Sequence, residues 1–349
     1  MSQYSRVSTP RAYMDRLSFD LANGFRTISN YTIIQNDGST AVTFDGGQLE
    51  DLFDMRPSNF ATIAHDTQAF YIIIDTGMTS DTVAEANFLA ILGHNFEEAD
   101  ASFAVQHDDA SDFGSATFVS NSPTRVINAA VSSSANYVEP DNNGWSLITW
   151  ANNNTDNRYY RIIISKEGNL SANFDSDVKI GSIMLGEYID FPSSPDMSVG
   201  FDIDYDGTKI VTSSGGSTFA NTSYLGAPGW AKTNPWVLAP SSSENQTTTL
   251  SRHYGRRKYN MNFSYVADTD LFLSNMHSGH GAMVDGSDLY SQFFHKSLGS
   301  HLPFLLTIDG STADANGDYG LFRLADGGLK STQSAHRFWD TKLNLVEHW

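Results

Sequence analysis

Hydrophobic and polar residues alternate near the C-terminal end of the chain. Over residues 259–266 every second side chain is apolar, and these side chains are Tyr259, Met261, Phe263 and Tyr265. Side chains on a strand point to opposite faces with a period of two, so the pattern predicts a half-buried antiparallel strand. A second alternating segment, Phe338–Trp349, places Leu343 and Leu345 among polar neighbours and predicts a terminal strand held in a sheet.

Short apolar runs separated by turn signals recur along the rest of the chain. Phe70–Asp75, Arg158–Ile164 and Lys179–Ile189 have the length and the β-branched content of strands. Asn, Asp and Gly cluster at Asn36–Gly38 and Asp45–Gly47, which indicates hairpin-type turns. The spacing of these segments predicts an all-β fold with few short helices, in which several strands form a sandwich.

Composition and charge narrow the classes of partner. The chain has 349 residues, 12% of them aromatic, and carries 40 acidic against 21 basic residues for a formal net charge of −19. Most of its surface would therefore repel nucleic acid or an anionic membrane, and solubility at high copy number is the plainer explanation of the charge. The absence of cysteine from the sequence excludes disulfides and thiolate metal sites, and it fits assembly in a reducing cytosol.

Two observations bear on targeting. The start of the sequence, Met1–Val7, has no apolar core of signal-peptide length. The longest apolar runs are strand-sized and far shorter than the roughly 20 residues that a membrane span needs. We therefore expect a soluble protein that inserts into no membrane and is not exported by an amino-terminal signal.

Motifs in the middle of the chain point to a known fold. Residues 61–195 contain three of them: Ile91–Phe96 (ILGHNF), Arg158–Ile164 (RYYRIII) and Lys179–Pro192 (KIGSIMLGEYIDFP). This set resembles the galactose-binding-like (discoidin-type) jelly roll found in many bacteriophage tail proteins. The resemblance implies a jelly-roll sandwich domain over residues 61–195.

Residues 196–349 carry a second resemblance. Their order is Thr212–Gly216, then a basic strand, then Leu302–Asp309 (LPFLLTID), then the terminal strand. This order resembles the tube-like ring domain of tailed-phage distal tail and baseplate proteins. Residues 1–60 form an N-terminal arm and strands that we expect to belong to the same tube-like domain.

Together the resemblances imply a non-enzymatic structural component of a phage tail tip or baseplate. Such a protein would form a ring of its own copies, a trimer or a hexamer, about the tail axis. It would join the tail tube to the hub and other baseplate proteins, and it would reside in the virion tail after synthesis in the host cytoplasm. The alternative is a carbohydrate-binding adhesin, or receptor-binding module, that contacts a glycan on the host surface.

One acidic segment has the spacing of a calcium loop. Asp202, Asp204 and Asp206 supply positions 1, 3 and 5 of such a loop and Gly207 supplies position 6. The twelfth position, which calls for a bidentate Glu, is Ser213. A hairpin turn at Asp206 and Gly207 explains the same residues, so calcium is a weak hypothesis and no other cofactor is indicated.

A basic cluster stands out in this acidic chain. Four of its 21 bases are Arg252, Arg256, Arg257 and Lys258. They could contact an acidic patch on a neighbouring protomer, or DNA in the lumen of a tube, without reading its sequence. The alternative is a solvent-facing strand edge, where bases discourage unwanted pairing.

Tryptophan pairs are candidates for interfaces or sugar platforms. Trp230 and Trp236 lie on a Gly/Pro-rich stretch, which favours an interface. Trp145 and Trp150 could stack on sugars, but their strand context favours the sandwich core. The sequence contains no Gly-x-Ser-x-Gly, phosphate-loop or His-Glu-x-x-His motif, so we expect a protein that is not an enzyme.

Overall fold

The computed structural model describes residues 8–77, 86–132, 136–151, 157–204, 210–220, 256–272, 288–310, 319–325 and 328–348. Within these ranges the chain forms four antiparallel sheets and only a few short helical segments. The predicted all-β class is therefore confirmed. In the same ranges, no helix has both the length and the apolar character needed to cross a lipid bilayer.

Within the described residues, fifteen strands precede residue 195 and eight follow it. In the first part they are β1 (Arg11–Asp15), β2 (Tyr31–Gln35), β3 (Phe44–Gly46), β4 (Ala61–Ile63), β5 (Phe70–Asp75), β6 (Phe88–His94), β7 (Ala101–Asp108), β8 (Thr117–Phe118), β9 (Arg125–Ile127), β10 (Ala129–Val131), β11 (Val138–Pro140), β12 (Gly144–Thr149), β13 (Tyr159–Lys166), β14 (Val178–Ile180) and β15 (Ser182–Asp190). In the second part they are β16 (Gly200–Asp204), β17 (Ile210–Thr212), β18 (Thr218–Ala220), β19 (Arg256–Ala267), β20 (Phe304–Thr307), β21 (Tyr319–Leu324), β22 (Lys330–Ala335) and β23 (Phe338–Glu347). The helical segments are α1 (Arg16–Ala22), α2 (Phe96–Ala99), α3 (Asp268–Leu271), a π-helical turn (Tyr290–His295) and 3₁₀ turns at Ile28–Asn30 and Leu49–Phe53.

A sandwich occupies the first half of the chain. A seven-stranded sheet, in the order β10-β11-β7-β13-β5-β2 with β8 beside β7, faces strands β6, β12 and β15 of an eleven-stranded sheet. Alternate residues of β5, such as Ile72 and Ile74, are buried in one cluster with Leu89 and Ile91 of β6. The period-two pattern thus places one face of each sheet in a shared core, as in other β-sandwiches.

The N-terminal strands β2 and β3 pair with strands of residues 61–195, whereas the sequence predicts them in the tube-like domain. β2 pairs with β5 of the sandwich, and β3 pairs with β4, which itself pairs with β14. Tyr31 and Ile33 of β2 are buried in the sandwich core, and Phe44 of β3 packs against that core. β2 and β3 therefore pack with the sandwich, and the division of the chain into a jelly-roll domain and a tube-like domain stays a prediction.

Strand β1 connects the two halves of the chain. It lies inside the eleven-stranded sheet, paired on one side with β15 and on the other with β20. The sheet continues through β21, β23 and β19 to its edge at β16. On this side Phe293 of the π-helical turn covers the sheet, with its ring 4.7 Å from that of Phe304. One sheet therefore runs through both halves.

The long strand β19 departs from its predicted pattern near its end. Tyr259, Met261 and Phe263 are buried, as the alternation predicts. Tyr265 is 67% exposed and has a φ of 57°, and the pairing with β23 shifts register between Phe263 and Val266. The extra residue of this β-bulge turns Tyr265 outward and places Val266 in the core.

Candidate functional site

A cleft with polar and apolar walls opens at the end of the sandwich where β6 leads through α2 into β7. Its volume is about 460 Å³, which falls in the size range of small-molecule sites. The residues that line it come from five separate parts of the chain, and they are Gly46, Gly47, Phe60, Thr62, Asn95, Glu98, Asn143 and Lys179. We call this feature the cleft.

Two buried asparagines fix the polar side of the cleft. The Asn95 side chain donates from Nδ2 to the Asp177 carbonyl at 2.8 Å and accepts from the Lys179 backbone N–H at 2.7 Å, so it ties α2 to β14. Asn143 Oδ1 accepts from the Glu98 backbone N–H at 3.1 Å. These bonds hold the exposed side chains of Glu98 and Lys179 at the rim.

A glycine turn and an aromatic ring form the opposite wall. Gly47 has a φ of 69°, and a Cβ at this position would lie 2.4 Å from the Phe60 carbonyl oxygen. Only glycine allows this approach, which sets the turn directly against the half-buried Phe60. Asp51 braces the turn by accepting from the Gln48 backbone N–H at 2.9 Å.

A neutral histidine directly precedes Asn95 of the cleft in the chain. His94 is fully buried and stacks on Phe96 with ring centroids 4.5 Å apart. Burial lowers the pKa of His94 to about 3, so the ring is neutral near pH 7. Its Nδ1 accepts from the Phe96 backbone N–H, which leaves the proton on Nε2, 2.9 Å from Ser146 Oγ. The histidine therefore supports the start of α2 and carries no charge for the cleft.

The groups of the cleft can recognise a polyhydroxylated molecule. Phe60 offers a flat apolar surface, and Thr62 and Asn143 offer a hydroxyl and an amide. Glu98 accepts hydrogen bonds, whereas Lys179 donates them. Because the two rim charges are opposite, the cleft has no strong preference for an ion of either sign.

The predicted calcium loop lies only partly within the described residues. Asp202 and Asp204 are in β16, and the β16–β19 register sets them opposite Lys258 and Arg256. Asp206 lies outside the described residues. Within the described residues no three His, Cys, Asp or Glu side chains form a metal-binding group. Calcium at this segment stays a prediction, with two basic residues facing it across the strand pair.

The basic cluster divides in the structure. Arg252 lies outside the described residues, whereas Arg256, Arg257 and Lys258 begin β19. The Arg257 guanidinium pairs with Glu347 at 2.6 Å, and its Nη2 donates to the Tyr319 carbonyl at 2.8 Å. Arg257 thus stabilises the sheet from within, because Glu347 is buried beside it. The contact of Arg256, Arg257 and Lys258 with a partner stays a prediction.

The tryptophan predictions have mixed outcomes. Trp150 is buried in the sandwich core, as predicted, whereas Trp145 is buried in a separate cluster with Tyr319, so the prediction is wrong for Trp145. Trp230 and Trp236 lie outside the described residues, so their interface role stays a prediction. No motif in the sequence indicates the cleft, since Phe60 and Asn143 belong to separate segments that meet only when the strands pair.

Comparisons with known proteins add little to this picture. No protein-family model matches the chain, and no curated protein matches it. Chitosan-binding module 1, from a chitosanase/glucanase of Paenibacillus sp. IK-5, has 15% identity to the chain and a TM-score of 0.29, covering 45% of this chain and 93% of that one. A Ruminococcus gnavus GH29 fucosidase has 12% identity and a TM-score of 0.29, covering 46% and 26%.

A family 89 glycoside hydrolase from Clostridium perfringens has 17% identity and a TM-score of 0.24, covering 45% of this chain and 14% of that one. At TM-scores this low, these similarities say nothing about the function of this chain. The resemblance to tail and baseplate proteins stays a prediction.

Proposed function

We propose that the chain is a carbohydrate-binding protein and that the cleft holds its sugar. The observation that carries the proposal is the combination, in one cleft, of the half-buried Phe60 ring with the amide of Asn143 and the side chains at the rim. Sugar rings have one apolar C–H face and an edge of hydroxyls. An aromatic wall suits the face, and hydrogen-bonding side chains suit the edge.

Binding without catalysis fits the charges of the cleft. Glycoside hydrolysis uses a pair of carboxylates on either side of the scissile bond. Among the described residues that line the cleft, Glu98 carries the one carboxylate. Lys179 and the asparagines are binding groups in this setting, so we expect an intact ligand after contact with the protein.

A glycan array followed by titration tests the proposal. The best ligand of the array should lose about tenfold in affinity when Phe60→Ala removes the aromatic wall, since an aromatic contact contributes about 0.5–1.5 kcal/mol. Phe338→Ala is the matched control, because Phe338 is 42% exposed on β23 and does not line the cleft. An array without ligands, or equal losses in the two variants, would contradict the proposal.

A second candidate is a structural subunit of a symmetric particle, as the tail resemblance implies. The observation that favours it is the β17–β18 hairpin, which forms a sheet of its own and exposes Ile210 by 64% and Phe219 by 63%. Isolated hairpins are marginally stable in water, so a contact with another copy would benefit this one. Light scattering tests the idea, since a ring requires a mass of three or six times 38.3 kDa.

A further inference from the structure

The outward face of the seven-stranded sheet carries an arginine between two aromatic rings. The guanidinium carbon of Arg161 lies 4.3 Å from the ring centroid of Phe113 and 4.9 Å from that of Tyr71. Its Nε donates to Gln106 Oε1 at 2.8 Å, and its Nη2 donates to the same oxygen. We call Arg161, Gln106, Tyr71 and Phe113 the sheet-face site.

Among the described residues no carboxylate makes a hydrogen bond or an ion pair with Arg161: its guanidinium bonds to the neutral amide of Gln106, and the charge of Asp108 attracts it without a direct bond. Arg158, three residues earlier, shows the contrast: it makes two hydrogen bonds to the Asp75 carboxylate, at 2.7 and 2.8 Å. Burial lowers the pKa of the Arg161 guanidinium below its usual value. A half-buried guanidinium without a carboxylate is the expected state of an anion site.

The loop that presents Phe113 is well braced. Asp108 accepts from the backbone N–H groups of Ala110 at 3.2 Å and Ser115 at 3.0 Å, so hydrogen bonds within the loop stabilise its negative charge. Phe113 has a φ of 53°, a conformation that costs a non-glycine residue free energy. The strained position places its ring on Arg161 and keeps the guanidinium in a fixed orientation.

An apolar strip leads away from the charge. Ile73 of β5 lies opposite Arg161, and Ile34 of β2 lies opposite Tyr71. The strip consists of Tyr71, Ile73 and Ile34, which are all half-buried. The exposed Thr32 follows at the sheet edge. Neighbouring strands are about 4.8 Å apart, so the strip extends roughly 10 Å from the guanidinium. A ligand here meets one cation, then an apolar surface, then hydroxyls.

We propose that the sheet-face site binds an acidic polysaccharide, with Arg161 holding the carboxylate of a uronic acid residue. Its sugar ring lies on Tyr71 and Ile73, where the apolar C–H face is covered. This surface is distinct from the cleft: Gln106 lies roughly 17 Å along β7 from the end that adjoins α2. The net charge of −19 repels polyanions at long range, and salt near 0.15 M limits that repulsion to about 8 Å.

Two matched probes and two matched variants test the proposal on the full chain. The probes are trigalacturonate and its fully methyl-esterified form, in which methyl groups replace the three negative charges, titrated in about 0.15 M salt. We expect the acid to bind at least tenfold more tightly than the ester, and Arg161→Gln to remove that difference. Arg158→Gln makes the same change of charge directly before the same strand, and it should alter the affinity less than twofold because Asp75 already neutralises Arg158.

Thermal unfolding of both variants checks that they fold. If Arg161→Gln does not fold, Tyr71→Ala replaces it and should weaken the binding of trigalacturonate at least fivefold. Equal binding of the two probes, equal losses in the two arginine variants, or binding of triglutamate as tight as that of trigalacturonate would overturn the proposal. Phe60→Ala should leave trigalacturonate binding unchanged. Weaker trigalacturonate binding by Phe60→Ala would show that this ligand binds in the cleft and would contradict the sheet-face site. The cleft proposal itself is tested only with the best ligand of the glycan array.

Discussion

Asp15 is a buried carboxylate whose negative charge is opposed by burial. It caps α1 by accepting from the backbone N–H groups of Leu17 and Ser18, and it also accepts from that of Leu185. Burial nevertheless raises the pKa of Asp15 to about 6 from 3.8. The folded state therefore keeps the Asp15 carboxyl protonated up to about pH 6, whereas the unfolded chain loses that proton near pH 4.

We predict that Asp15 makes the protein less stable as the pH rises from 4 to 7. A pKa shift of this size contributes about 3 kcal/mol to the free energy of unfolding. This contribution is fully present below pH 4 and is lost above pH 6. Urea unfolding at several pH values should show that Asp15→Asn removes this slope. Asp37→Asn is the control, because hydrogen bonds from Thr40 and Ser39 lower the pKa of Asp37 to about 2 and leave its contribution flat over this range.

Tyr265 shows what alternation can and cannot predict. The sequence correctly assigned Tyr259, Met261 and Phe263 to one buried face, because a regular strand requires it. It could not foresee the bulge that turns Tyr265 out, since the register shift arises from pairing with Trp339 of a strand more than seventy residues away. Period alone contains no information about where a partner strand slips.

The bulge predicts an unusual order of stabilities. At a φ of 57° glycine is strain-free and alanine is not, so Tyr265→Gly should exceed Tyr265→Ala by about 1 kcal/mol in free energy of unfolding. Asn262, a regular position of the same strand, should show the reverse order, with alanine ahead of glycine. Chemical denaturation of the four variants measures both differences. The same order at both positions would argue against a left-handed residue at 265.

At the scale of elements, one ion pair fastens the start of β19 to the end of β23. The side chain of Glu347 is 4% exposed and that of Arg257 is 17% exposed, so removal of either leaves a largely desolvated charge. We predict that Arg257→Met lowers the free energy of unfolding by about 3 kcal/mol. The double variant with Glu347→Met should recover most of that loss. Additive losses in a double-mutant cycle would show that the two residues act independently.

The strands were predictable, but their neighbours were not. Apolar runs such as Phe70–Asp75 carry their own signal, because burial on one face fixes the local pattern. The cleft needs Phe60, Asn95 and Asn143 from three segments, and no local pattern encodes the pairing that gathers them. The Arg161 site is similar: the sequence marks Arg158–Ile164 as a strand, yet the loop residue Phe113 decides that Arg161 lies between two rings.

At the scale of the molecule, β1 decides how the two halves depend on each other. Its residues pair with β15 on one edge and with β20 on the other, so loss of β1 would open the eleven-stranded sheet in the middle. Ala12 and Met14 of β1 lie in the C-terminal core, whereas Tyr13 packs on Phe88 of β6 with ring centroids 5.2 Å apart. A separation into domains at residue 195 would have to break these contacts.

We therefore predict that the chain unfolds as one unit. Phe293→Ala removes a fully buried ring that packs on Phe304 and Phe191, which should cost about 3–5 kcal/mol. Native-state hydrogen exchange should then accelerate in β6 as much as in β20, although Phe293 lies in a separate core cluster from β6. Faster exchange in β20 with unchanged protection in β6 would contradict this prediction. It would show that β1 connects two domains that unfold independently.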